Sequence, residues 1–93
     1  MIGNLCHKPR LTLAKNGTAF AKAVFAVNQD NSPPKFYTLV AYNETAEILA
    51  RLPKGQQLVA VGKIYHDPRY KLPLIRAFKI LPGLSPGERV MTL

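Results

Sequence analysis

The stretch from Ala19 to Asn28 alternates, with Ala19, Ala21, Ala23, Phe25 and Val27 on one side and Phe20, Lys22, Val24, Ala26 and Asn28 on the other. That is the two-residue period of a β-strand. Alanine on its own favours helix. The Asn16-Gly17 pair just before the stretch favours a tight hairpin, and Leu11 to Leu13 supplies the partner strand. Gln29 to Pro34 reads as a polar loop, because Pro33 and Pro34 bring no amide N–H to a ladder. Lys35 to Tyr42 alternates again, Phe36, Thr38, Val40 and Tyr42 against Tyr37, Leu39 and Ala41. The second row is the more uniformly apolar, so it is predicted to face the core and to leave Phe36 and Tyr42 outside.

Asn43 can cap a short helix over Glu44 to Leu52, with Thr45, Ile48, Leu49 and Leu52 on one face, acids in its first turn and Arg51 in its last. Pro53-Lys54-Gly55 stops it. So short a helix needs packing against something else to persist. Gln57 to Tyr65 is the next strand, Leu58, Ala60, Gly62 and Ile64 inward and Val59, Val61, Lys63 and Tyr65 outward. Gly62 would let it bend sharply, as a small barrel requires. His66-Asp67-Pro68-Arg69 is a turn, and the last strand begins at Tyr70 or Leu74 and runs to Leu81. The expected organisation is one domain over 1–81, followed by an irregular C-terminal strap over 82–93. The element order places one short helix between the third and fourth of five strands. That is the order of the all-β OB-fold, a five-stranded Greek-key barrel whose outer face and loops bind oligonucleotides.

Composition narrows the function. The 47% apolar content of the 93 residues is a globular value. One cysteine, Cys6, excludes an internal disulfide and a cysteine-pair zinc site. No apolar run approaches a membrane span, so a cytoplasmic chain with no membrane partner is the expectation. Thirteen Lys and Arg against five Asp and Glu give a net charge of +8. A balance that basic suits a polyanion.

Catalysis finds little support. The acids are scattered, His7 and His66 stand apart, and GxxxxGK[ST], HExxH and GxSxG are all missing. No enzyme and no cofactor is expected. Binding does better. Phe36 and Tyr42 share a strand side, Tyr65 follows Lys63, and Tyr70 lies between Arg69 and Lys71. Aromatics interleaved with cations suit a single strand, since an unpaired base offers a face to stack on and its phosphate attracts a cation.

Several segments resemble, in order, the bacterial single-stranded-DNA-binding proteins. They are Ile2-Gly3-Asn4-Leu5, Pro9-Arg10-Leu11, Asn16 to Lys22, Phe25 to Asn28, Phe36 to Tyr42 with Ala46-Glu47, and Lys54 to Ile64. The resemblance implies that Phe36 and Tyr42 occupy base-stacking positions and that Thr38 stands where a basic phosphate contact is common. It also implies a third aromatic near the tip of the last hairpin, for which Tyr65 and Tyr70 are the candidates. The chain departs from the family in lacking tryptophan, in starting almost at Ile2-Gly3-Asn4-Leu5, and in ending without an acidic, Phe-terminated tail. A smaller site and lower affinity are expected in consequence.

The function expected is non-enzymatic binding of single-stranded DNA with little sequence preference, in support of replication, recombination or repair near the bacterial nucleoid. Lys22, Lys35, Lys63, Arg69, Lys71 and Arg76 would track phosphates beside Phe36 and Tyr42. A homo-oligomer, dimer or tetramer, is expected from strand edges free to pair, and replication proteins are candidate partners. RNA is another polymer the same face could hold. Two alternatives stand beside this. One is a primosome-assembly protein of the primosomal replication protein N kind; the other is an OB-fold protein-interaction module that does not bind DNA.

Overall fold

The computed structural model describes residues 1–83. Its elements run β1 (Ile2–Leu5), β2 (Arg10–Leu13), β3 (Ala19–Gln29), β4 (Ser32–Tyr42), α1 (Asn43–Ala50), β5 (Gln57–Tyr65) and β6 (Leu74–Pro82). β1 and β2 are two segments of one barrel strand, both antiparallel to β3, with Leu5 opposite Phe25 and Arg10 opposite Lys22. β1 also pairs with β5, which closes the sheet, and β4 and β6 run parallel. The result is the closed five-stranded OB barrel with one short helix that the sequence predicts.

The first strand breaks at Cys6 to Pro9, where proline has no N–H to donate. Opposite the break, the Val24 carbonyl accepts from the Cys6 N–H at 2.9 Å, and the Val24 N–H donates to His7 Nε2 at 3.2 Å. An imidazole thus replaces a missing strand carbonyl. The Asn16-Gly17 hairpin forms as expected, with Gly17 at φ 83 and the Thr18 N–H bonded to Asn16 Oδ1 at 3.0 Å.

The interior explains the alanines. Ala21, Ala41, Ala77 and Gly62 lie opposite one another on four adjacent strands. This row of small residues sits beside the start of α1, which packs on β3, β4 and β6. Larger side chains there would exclude the helix, so packing overrides alanine's helical preference. Phe25, Leu39, Leu49, Leu58 and Ile75 fill the remaining core, each burial contributing about 1.5–3 kcal/mol.

Four local expectations are corrected. Gln29 to Pro34 is not a loop, because β3 continues to Gln29 and β4 starts at Ser32. Only the Asp30-Asn31 tip turns, with Asn31 at φ 57, and a register shift after Val27 leaves Pro33 and Pro34 outside the paired positions. The helix is shorter than expected and Asn43 does not cap it: Tyr42 is the N-cap residue, no side chain caps it, and Asn43 is its first residue at φ 54. Its buried side is Ala46, Leu49 and Leu52, while Ile48 is 41% exposed. Ile64 shares a face with Ile75, as expected, but it is exposed because it stands at the barrel mouth beside Met1 and Val61. Finally, β6 begins at Leu74 and reaches Pro82, so the proposed strap lies outside the described residues from position 84 on.

Gly62 is the bend the sequence suggests. The β5–β6 register shifts between Val61 and Gly62, and a Cβ at Gly62 would run into the Arg76 carbonyl and lie 2.8 Å from Ala77 Cα.

Candidate nucleic-acid interface

Strand pairing assembles the outer face from rows of side chains that cross the sheet. One row is Thr12, Phe20 and Tyr42 on β2, β3 and β4. The next is Arg10, Lys22, Val40, Arg76 and Lys63 on β2, β3, β4, β6 and β5. A third is Val24, Thr38, Leu74 and Tyr65, and Ala26 and Phe36 form a fourth. Neighbouring strands are about 4.8 Å apart, so the cation row crosses about 19 Å of sheet. Val40, at its centre, is buried among its neighbours.

The predicted parity of β4 holds: Phe36 and Tyr42 are 42% and 40% exposed, and Tyr37 is 4% exposed. Six residues separate the two exposed rings, about 20 Å along an extended strand. Tyr42 sits between two partners, the Phe20 ring at 6.2 Å and the Arg76 guanidinium at 5.0 Å from its centroid.

Three cavities lie on this face. An open groove of about 490 Å³ is lined by Tyr42, Tyr65, His66, Asp67, Pro68, Arg69, Leu74 and Arg76. A small cleft of about 140 Å³ lies between Thr38, Val24, Ala23, His7, Lys22 and Tyr70. Tyr70 reaches it from the β5–β6 connection, with Lys22 Nζ 5.6 Å from its ring centroid. A pocket of about 420 Å³ follows over β2 and β3, lined by His7, Lys8, Arg10, Thr12, Phe20 and Lys22.

In the groove Arg69 is held by Asp67. Its Nε donates to both carboxylate oxygens at 3.1 and 3.2 Å, its Nη2 donates at 2.8 Å, and its backbone N–H adds a bond at 2.9 Å. These bonds hold the Asp67 carboxyl below the usual carboxylate range, and the same carboxylate raises the Arg69 guanidinium further. This is the single ion pair among the described residues. Lys22, Lys63 and Arg76 therefore have no carboxylate partner there. Among the described residues no cluster of three or more His, Cys, Asp or Glu could hold a metal, and no helix is long and apolar enough to cross a membrane.

The structure thus brings Lys22, Tyr42, Tyr65, Arg69, Tyr70 and Arg76 together, with Lys63 next to Arg76. Thr38 is only 8% exposed and forms part of the cleft wall. Lys35 leaves the group: it lies on the Tyr37 side of β4, its ammonium 5.5 Å from that ring centroid. Lys71 is exposed and lines none of the three cavities. Sequence reasoning missed His7, Lys8, Arg10, Thr12 and Phe20. The hairpin itself carried the signal, since Arg10 and Lys22 are equidistant from Asn16 and must pair if Asn16-Gly17 forms the turn.

A closed barrel with one short helix, and an outer face that alternates aromatic rings with cations, defines an OB-fold of the oligonucleotide-binding type. The chain belongs to the single-strand binding protein family, whose model matches residues 1–70. It is 32% identical over 71 residues to the single-stranded DNA-binding protein of Thermus thermophilus, and 32% identical over 72 residues to that of Thermus aquaticus. The match covers 72% of this chain and 27% of each relative. The crystal structure of a deletion mutant of the Thermus aquaticus protein superposes with a TM-score of 0.78 at 30% identity, over 94% of this chain and 42% of that one. The single-strand-binding domain of a Synechococcus protein superposes with a TM-score of 0.76 over 87% of this chain and 89% of that one. At 17% identity it speaks for the fold alone.

Proposed function

We propose that this chain binds single-stranded DNA with little sequence preference and acts by occupancy rather than catalysis. The position of Tyr42, with a ring on one side and an arginine on the other, is the observation that carries the reading. Bases stack on Phe36 and Tyr42, each stack contributing about 1–3 kcal/mol whatever the base. Tyr65 and Tyr70 add aromatic surface at the groove and the cleft. Phosphates follow Lys22, Arg76, Lys63 and Arg69, and Lys35 and Lys71 add to the field at longer range. Coating of exposed strands suits replication, recombination or repair, with other replication proteins as partners.

The same reading includes a homo-oligomer. Ile2, Val59 and Leu81 stand opposite one another on the outer face of β1, β5 and β6, with Ile2 59% and Leu81 47% exposed. An apolar row at that exposure suits an interface between copies, and a linked array multiplies affinity along one strand.

Titration with a labelled dT oligomer, the equivalent duplex and the equivalent RNA tests the proposal. Single-stranded DNA should bind well above duplex at the same salt. Equal binding of both would assign the interaction to charge alone and overturn the stacking reading.

A further inference from the structure

The pocket between His7, Lys8, Arg10, Thr12, Phe20 and Lys22 lies beyond the residues assigned above, except for Lys22. Arg10 and Lys22 are directly opposite on adjacent antiparallel strands, an arrangement in which like charges repel and weaken the pairing. Lys8 adds a third positive charge at the rim, tied down by its Nζ to the Ala50 carbonyl at 3.1 Å. No carboxylate among the described residues neutralises any of the three. Nothing in the fold requires this crowding, and a bound anion converts it from repulsion to attraction.

The pocket is also held in shape. The His7 imidazole is fixed between the Lys8 carbonyl and the Val24 N–H, each at 3.2 Å, so the broken first strand forms a defined wall. Its volume of about 420 Å³ falls within the range of about 300–1,000 Å³ typical of ligand clefts. Phe20 joins it to the aromatic groove, since the Phe20 ring also packs on Tyr42.

We propose that this pocket is a second phosphate subsite, in which Arg10, Lys22 and Lys8 hold a backbone phosphate of a strand that has passed over Tyr42. The strand then continues across β2 and does not leave the barrel at β3. The inference rests on the single-strand reading and deepens it by giving the path a direction.

The test compares Lys8→Gln/Arg10→Gln with a charge-matched control, Lys54→Gln/Lys79→Gln, at two exposed lysines outside this pocket. Each is titrated with a dT oligomer of about 16 nucleotides, the upper site size of a single OB-fold, over a range of salt. Single strands lose about 0.7 in log–log salt slope per phosphate contact removed. The pocket variant should bind about tenfold more weakly at low salt with a slope smaller by about 1.4, while the control stays close to wild type. Lys8→Arg/Arg10→Lys keeps the charges and should restore the slope, which separates a lost contact from a damaged fold. Equal losses in the pocket variant and the control, or no loss in either, would overturn the subsite while wild-type binding still stood. A wild type that bound no dT would overturn the single-strand reading and the subsite with it.

Discussion

The Arg76 guanidinium lies 5.0 Å from the centroid of the Tyr42 ring, on the strand next to it in the barrel. A stacking residue and a phosphate cation are thus preassembled before any ligand arrives. The planar guanidinium can stack on the ring and still present donors at its edge, which a lysine ammonium cannot do.

Arg76→Gln should therefore weaken dT binding about threefold to tenfold and lower the salt slope by about 0.7. Arg76→Lys should keep the slope and lose part of the affinity, because the charge survives and the stack does not. A salt series on both variants reads the two effects apart.

Gly62→Ala should destabilise the barrel by about 2–3 kcal/mol, the scale of overpacking. The new methyl group would meet the Arg76 carbonyl and lie 2.8 Å from Ala77 Cα, both backbone atoms of the paired strand. Urea unfolding measures the loss, and a thermal midpoint lower by about 10 °C or more accompanies it. An unchanged midpoint would mean that the β5–β6 bulge relaxes freely.

Leu49→Ala should cost about 2–5 kcal/mol, while Ile48→Ala should change stability by less than about 0.5 kcal/mol. Leu49 is fully buried and its neighbour Ile48 is 41% exposed. Chemical denaturation of the two variants side by side checks which helix face plugs the barrel.

Asp67 carries the pH prediction. Its folded carboxyl titrates below the unfolded value because Arg69 donates to it through side chain and backbone. The contribution of the pair to stability is thus fully present above the unfolded value, near about 3.9, and disappears as pH falls through the folded one. Side-chain carboxyl NMR should place the Asp67 midpoint lower in wild type than in Arg69→Gln. Equal midpoints would mean that the ion pair does not persist in solution.

The strand order and the exposed face of β4 were legible because local signals agree with the fold. Asn16-Gly17 fixes one hairpin, and the alternation from Phe36 to Tyr42 fixes which rings face out. Ile48 and Ile64 were harder. Hydrophobic spacing identifies a face but not whether another element covers it, and Ile64 stands at an uncovered mouth beside Met1. Pro33 and Pro34 suggested a loop, yet a register shift lets a strand carry both. On the candidate interface, Tyr42 was visible as a ring on the outer row. Its pairing with Arg76 depends on a parallel contact between strands separated by the helix and β5. The pocket at Arg10 depends in the same way on the break at Cys6 to Pro9. That break follows from His7 replacing a backbone acceptor, which no periodicity shows.

The most direct test of the account is titration of wild type and a Phe36→Ala/Tyr42→Ala double variant with dT oligomers at two salt concentrations. The account predicts salt-sensitive wild-type binding and a loss of about 2–4 kcal/mol in the variant, the sum of two stacks, with its salt slope largely kept. Equal affinity of the two proteins would contradict it, because the bases would then be resting somewhere other than on Phe36 and Tyr42.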